Sequence, residues 1–271
     1  MTVKIVLVYQ SLLGIYGDQG NSKVLARRLQ WRGIEAGVVM VEPGEELPRD
    51  GSLYLLGGGE DNAQTTAVRE LRRGGVLFDA LGEGAILFAV CAGYQICGHT
   101  FTIGENDEVR EGLGLLDVET RRGPVRAVGE ILTRWTKPDG TTSQITGFEN
   151  HGGYTTLGPQ ATPLAHVEVG IGNDGRGTEG ALQGNVVATY PHGPVLARNP
   201  ELADYLLERA LGRPLQVQSM DRAEFDRRLS DVYAGDLNGD EPMEMPSGLD
   251  GLIEDLPAAA DLLDSADDAP V

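Results

Sequence analysis

The 271-residue sequence predicts an α/β fold: a mostly parallel sheet with helices on both faces and antiparallel strands added to it. Three observations carry this. Through residues 4–97, runs dense in Val, Ile and Leu alternate with segments of helical period. Several runs stop at Gly, Asp or Cys, at the carboxyl ends where sites form in such sheets. After residue 115 the texture changes to short alternating runs separated by turn signals.

The elements follow in order. Residues 4–9 read as a buried strand, and residues 10–20, with Gly14, Gly17, Asp18 and Gly20, as a loop. Asn21 is the expected N-cap of a helix to about residue 32, with Val24, Leu25 and Leu29 on one face and Gly33 ending it. Residues 35–41 and 53–56 read as strands, the second stopping at Gly57-Gly58-Gly59. Helices are expected over 62–73 and 76–81, and a strand over 85–90. That strand ends abruptly at Cys91-Ala-Gly-Tyr-Gln95, where a helix begins.

A strand that ends at a nucleophile and turns sharply into a helix is a nucleophile elbow, here with cysteine in place of serine. Ala92 and Gly93 relieve crowding at the turn. The first amides of the new helix point toward the sulfur, a setting that activates cysteine. The competing reading of Cys91 is a small buried hydrophobe at a strand end.

Residues 130–135, 143–148 and 164–169 read as antiparallel strands, with turns at Pro138-Asp-Gly and Asn173-Asp-Gly. A strand over 186–190 ends at Pro191-His192-Gly193, and helices are expected over 200–211 and 221–232. These divide the chain into a domain over 1–212, a helical extension over 213–235 and a tail over 236–271. The tail holds 11 Asp and Glu and no Lys or Arg. It reads as a disordered, solubilising segment, with docking onto a basic partner as the alternative.

Charge and composition exclude several functions. A net charge of −19 argues against nucleic acid and against charge-driven docking on an anionic membrane. No signal peptide and no apolar run long enough to span a bilayer is found, so a reducing cytoplasm is the expected compartment. Cys91 and Cys97, on a turn and its helix, are not expected to pair. The glycine triplet lacks the pattern of a phosphate-binding loop, so no nucleotide site is read in this chain.

A cysteine nucleophile needs a base within hydrogen-bond reach. Of His99, His151, His166 and His192, the last follows a strand and belongs on the same rim as Cys91. His151 sits in Gly147-Phe-Glu-Asn-His-Gly-Gly153, read as a polar turn that either lines a pocket or satisfies its own loop. Amides of the glycine triplet and of Ala92 are the candidate oxyanion donors.

These segments resemble the class I, triad-type glutamine amidotransferases, whose domain is flavodoxin-like. Cys91-Ala-Gly-Tyr-Gln95 is similar to their elbow, Leu56-Gly-Gly-Gly59 to their oxyanion strand, and His192 to their distant histidine. Tyr16-Gly-Asp-Gln-Gly-Asn21, the Gly147–Gly153 segment and Tyr190-Pro-His-Gly-Pro194 resemble the cobyric-acid-synthase-like branch, and within it the glutaminase subunits of lipid II isoglutaminyl synthases. The resemblance covers roughly residues 3–212.

It implies that Cys91 attacks the side-chain amide of glutamine while His192 shuttles the proton. Gly58 and Ala92 would hold the oxyanion, Gln95 would help seat the substrate, and Arg126 would bind its α-carboxylate. Arg121 and Arg122 are the less well-placed alternatives. The implied partner is a Mur-ligase-like synthetase subunit in a heterodimer, holding ATP, Mg2+ and lipid II at the inner face of the membrane. No metal or cofactor is implied on this chain.

One position departs from the pattern. Ordinary class I enzymes carry a glutamate two residues after the histidine, and here that residue is Pro194. Asp18, an acid from the partner, or none would orient His192. Two other readings stand beside this one. A glutaminase could feed a corrinoid or pyridoxal phosphate synthase, although no P-loop synthetase domain is found in this chain. A non-catalytic module could use the fold only to hold a partner.

Overall fold

The computed structural model describes residues 2–14, 18–104 and 106–215. The expected helix over 221–232 and the acidic tail lie outside the described residues, as do Tyr16 and Gly17. In chain order the elements are β1 (Val3–Val8), α1 (Gln10–Leu13), α2 (Gln19–Gln30), β2 (Ala36–Val41), β3 (Leu53–Leu56), α3 (Asp61–Gly74), α4 (Val76–Gly82), β4 (Ile86–Val90) and α5 (Ala92–Cys97). They continue with β5 (Thr100–Ile103), β6 (Glu108–Glu111), β7 (Val118–Thr136), β8 (Thr142–Leu157), β9 (Ala165–Val169), β10 (Thr178–Glu179), β11 (Ala181–Gln183), β12 (Val186–Thr189), α6 (Val195–Arg198) and α7 (Pro200–Leu211).

The first sheet has the order β11-β12-β4-β3-β1-β2. Every neighbouring pair is parallel except β11 with β12. Its central strands are apolar from end to end because both faces are covered: every residue of β3, β4 and β12 is buried. Each wholly buried Leu, Ile or Val side chain contributes about 1.5–3 kcal/mol of transfer free energy. Arg28 grips the Asp204 carboxylate with two nitrogens, at 2.7 and 2.6 Å, and so ties α2 to α7.

The antiparallel strands expected as additions to this sheet form a second sheet instead, in the order β10-β9-β7-β5-β6 with β8 on β7. The reason is the length of the β7–β8 hairpin. It pairs from Val118 with Leu157 up to Thr136 with Thr142, and so satisfies its own ladder. The Gly147–Gly153 segment, read from sequence as a turn, lies inside β8.

The first helix after β1 is also corrected. A short helix, α1, occupies part of the expected loop, and α2 begins at Gln19 with Asp18 at its N-cap position. Asn21 therefore lies inside the helix rather than capping it. Its side-chain oxygen accepts the Leu196 N–H at 3.0 Å, which joins α2 to the segment following His192.

Candidate active site

The chain that follows β1, β3, β4 and β12 lies at one rim of the first sheet, as doubly wound topology requires. Those four connections carry Asp18, the glycine triplet, Cys91 and His192.

Cys91 has φ 52° and ψ −106°, a conformation that costs a non-glycine residue on the order of 1–3 kcal/mol. The surroundings hold it there. Its N–H donates to Thr189 O at 2.9 Å, and its carbonyl accepts the Gln95 N–H at 3.0 Å. Gly93 donates to Gly57 O at 3.0 Å, and a Cβ on Gly93 would stand 2.7 Å from Leu56 O. Only glycine permits α5 to start so close to β3. Cys91 itself is 5% exposed, at the wall of a cavity of about 200 Å³. Both cysteines are free thiols, and burial pushes Cys97 far above the usual thiol range.

His192 is buried next to Cys91. Its backbone forms an antiparallel bridge with Phe148, and Gly147 lets the two segments close: a Cβ there would stand 2.5 Å from the Pro191 Cβ. His192 Nδ1 lies 3.2 Å from Asp18 Oδ1. Burial disfavours the charged imidazole, but hydrogen bonds and negative charge at Asp18 and Cys91 outweigh it and raise its pKa to about 10. Pro194 stands where the usual glutamate would be and packs on α2 instead. A Cβ on Gly20 would come within 2.2 Å of its Cγ. The α2 entry thus lies close against the histidine loop, and Asp18 fills the gap.

Asp18 has a second contact with consequences for the oxyanion donors. Its Oδ2 accepts the Gly58 N–H at 2.7 Å. Gly58, expected to aim its amide at the substrate, donates to the carboxylate instead. Of the glycine triplet it is Gly59 that lines the cavity, together with Ala92.

The opposite wall comes from the second sheet. Between Arg122 and Ala127 the β7–β8 register slips, so residues 123–126 bulge out against Gly152. Arg126 lies on this bulge and lines the cavity. Asn150 Oδ1 accepts its Nε–H at 2.9 Å. No described residue bonds its two terminal nitrogens. Arg122 also lines the cavity, but its guanidinium is bound to Asp107 and to Gly104 O. Arg121 is engaged with Glu119 and Thr100 outside it.

Gln95 lines the cavity, and its amide is held from both sides. Gln64 donates to its Oε1 at 2.6 Å, and its Nε2 donates to Tyr190 Oη at 3.4 Å. His151 lines the cavity too and stacks on Tyr190 with ring centroids 3.7 Å apart. Its Nδ1 lies 2.8 Å from Gly153 O, and Glu149 lies beyond its other nitrogen. Burial works against the Glu149 charge, yet His151 and the Ile171 and Gly172 amides hold its pKa below the usual value. His99 pairs with Asp117 away from the cavity. Sequence reasoning missed Gln64 and Asn150. Asn150 was at least within a segment that stood out, whereas Gln64 carried no signal.

A strained thiol beside an imidazole that a carboxylate backs is the layout of the triad-type cysteine hydrolases. Comparison with known proteins narrows the class. Residues 4–200 match the CobB/CobQ-like glutamine amidotransferase domain, and the chain belongs to that family. It is a glutamine-hydrolysing enzyme of that family.

It is similar to the lipid II isoglutaminyl synthase subunit GatD of Staphylococcus aureus strain N315, 36% identical over 77% of this chain and 86% of that one. The GatD subunit of Streptococcus pneumoniae strain R6 is 30% identical over 75% and 78%. Cobyric acid synthase of Sphingopyxis alaskensis is 34% identical over 65% of this chain but only 35% of its own length. A crystal structure of a glutamine amidotransferase superposes with a TM-score of 0.51 at 25% identity, covering 76% of this chain and 98% of that one. Among the described residues no helix is long and apolar enough to cross a membrane.

Proposed function

We propose that this chain is the glutaminase subunit of a two-subunit enzyme that amidates the α-carboxyl of D-glutamate in lipid II. The supporting observation is that Cys91, with His192 and then Asp18 lined up behind it, stands at one wall of a cavity whose other wall presents Arg126. Glutamine enters with its α-carboxylate on the Arg126 guanidinium, oriented by Asn150. His192, whose raised pKa keeps it protonated at neutral pH, holds the proton given up by Cys91 as the sulfur attacks the side-chain amide carbon. Asp18 holds the imidazole through Nδ1.

The negative oxygen that forms is met by the Ala92 amide at the start of α5 and by an amide of the glycine turn. The C–N bond breaks as His192 returns its proton to the departing ammonia. Water, deprotonated by the same imidazole, then cleaves the thioester and releases glutamate. The ammonia passes to a Mur-ligase-like partner, which uses ATP and Mg2+ to activate the acceptor carboxyl. The pair works in the cytoplasm at the inner face of the membrane, where lipid II is held by the partner.

Similarity to two GatD subunits over most of their length favours this acceptor. The cobyric acid synthase similarity, confined to about a third of that chain, keeps a corrinoid acceptor as the second reading. The test is to co-express the chain with a Mur-ligase-like protein of the same source. Transfer of amide-15N from glutamine into lipid II is then followed by mass spectrometry. Label in lipid II, lost with Cys91→Ala, is the expected result. A stable partnership with a corrinoid enzyme and no label in lipid II would reject the acceptor.

A further inference from the structure

Behind Cys91 lies a carboxyl group that the steps above do not use. Glu179 ends β10, the edge strand of the second sheet, and Gly180 leads directly into β11 of the first. The crossing is tight: Gly180 has φ 63°, and a Cβ on it would stand 2.3 Å from the Ala188 carbonyl oxygen. The Glu179 side chain is wholly buried. Its Oε1 accepts the Tyr190 N–H at 2.7 Å and its Oε2 accepts the Thr189 hydroxyl at 3.0 Å.

The peptide between Thr189 and Tyr190 is therefore bound at both ends. Its N–H goes to Glu179, and its C=O accepts the Cys91 N–H at 2.9 Å. One peptide unit connects the carboxyl to the backbone of the nucleophile. His192 follows two residues later, and the Tyr190 side chain backs the cavity through His151 and Gln95.

We propose that Glu179 is a positioning residue for glutamine hydrolysis: it clamps the Thr189–Tyr190 peptide and thereby fixes the Cys91 elbow and the approach of His192. The inference rests on the glutaminase reading above. Its physical basis is the strain at Cys91. A positive-φ cysteine persists only where its surroundings over-determine it, and the Thr189 carbonyl is one of the few polar constraints on it. Hydrogen bonds linked through one peptide polarise each other, so an acceptor on the Tyr190 N–H strengthens the carbonyl that holds Cys91. Removing that acceptor would also orphan a buried N–H, which the loop would relieve by moving. Burial raises the carboxyl to about 7, against the two hydrogen bonds and with help from nearby Glu149, so an acid is kept here despite its cost.

The test measures glutamate release by the full chain with its partner, with wild type and Cys91→Ala alongside. Glu179→Ala is expected to lower kcat per folded molecule by about tenfold or more, with KM for glutamine within about threefold because Arg126 and Asn150 are untouched. The alkaline limb of its kcat/KM profile, set by His192, shifts to lower pH. Glu179→Gln, whose amide can still accept from Tyr190 N–H and donate to the Thr189 hydroxyl, restores both readouts.

A Glu179→Ala enzyme with wild-type turnover overturns the inference, and so does a Glu179→Gln enzyme as slow as Glu179→Ala. Should Glu179→Ala not fold, Thr189→Val carries the test: a severalfold lower kcat at unchanged KM supports the clamp, and an unchanged kcat overturns it. A wild-type complex with no glutaminase activity would instead remove the reading on which the inference rests.

Discussion

The two sheets meet the cavity in different ways. The first carries Cys91, His192 and Asp18 on the connections that follow its parallel strands, and all three are at least 95% buried. The second delivers Arg126 from a bulge in a long antiparallel hairpin, where the side chain is exposed and steered by a single contact to Asn150. The groups proposed to move protons and form bonds are thus fixed by packing on every side. The group proposed to read the substrate sits on backbone that has already left its register. Chemistry and recognition are built at different stiffness, and substitutions on the two walls should separate in kcat and KM.

The sharpest way to break that comparison is at the nucleophile. Cys91→Ala is expected to lower glutaminase kcat by about 10⁴-fold or more, read as glutamate release. Cys97→Ala serves as the control, because that thiol is wholly buried and outside the cavity. A comparable loss at Cys97 would mean that the elbow fails by misfolding rather than by lost chemistry. Next comes Asp18→Asn, which keeps the shape but puts the wrong partner on Nδ1. A fall in kcat of about 10³-fold with little change in KM is expected. The alkaline limb of the profile should also move to lower pH, since Asp18 is a main cause of the raised His192 value. An unchanged Asp18→Asn rate in the complex would transfer the orienting role to an acid of the partner.

On the second wall the effect is smaller and of the other kind. Arg126→Ala should raise KM by about 10- to 100-fold with kcat nearly kept, the loss appropriate to a charge-assisted carboxylate contact. Arg121→Ala should change neither, because its guanidinium is spent on Glu119 and Thr100. A KM effect at Arg121 equal to that at Arg126 would mean that the bulge has another conformation in the working enzyme.

The same contrast explains what the sequence revealed. Strand ends of the parallel sheet were legible because unbroken apolar runs stop abruptly at Gly and Cys, and topology alone then gathers them on one rim. The pairing of Asp18 with His192, 174 positions apart, could be raised from that rim argument but not fixed by it. The missing glutamate at Pro194 identified the gap without its filler. The second sheet misled because the glycines within β8 do not mark a turn. Gly147 makes room for Pro191, and Gly153 for the Gln95 amide, whose nitrogen would stand 2.4 Å from a Cβ. Read locally, Asn-His-Gly-Gly resembles a turn; in the fold it is a strand pressed against two neighbours. Gln64 was illegible for a plainer reason, since a buried amide on a helix has no pattern of its own.

The smallest effect tests the joint between the two sheets. Glu179 is raised from an ordinary 4.5 to about 7 by burial. Between those values the folded chain holds a proton that the unfolded chain has lost. Stability therefore falls as pH rises through this window; the carboxyl favours folding most below 4.5 and least above 7. The difference corresponds to at most about 3 kcal/mol. Glu179→Gln cannot titrate, so its melting temperature should match wild type near pH 5 and exceed it at pH 8. A gain of several degrees is expected, at about 2–4 °C per kcal/mol for a domain of this size. A difference that does not vary with pH would show that the carboxyl is solvated and not the sealed joint described here. A stabilised Glu179→Gln with near-normal turnover would show that the clamp acts through its two hydrogen bonds and not through its charge. The rigid wall would then extend across the joint into the second sheet, and the adaptable one would begin only at the Arg126 bulge.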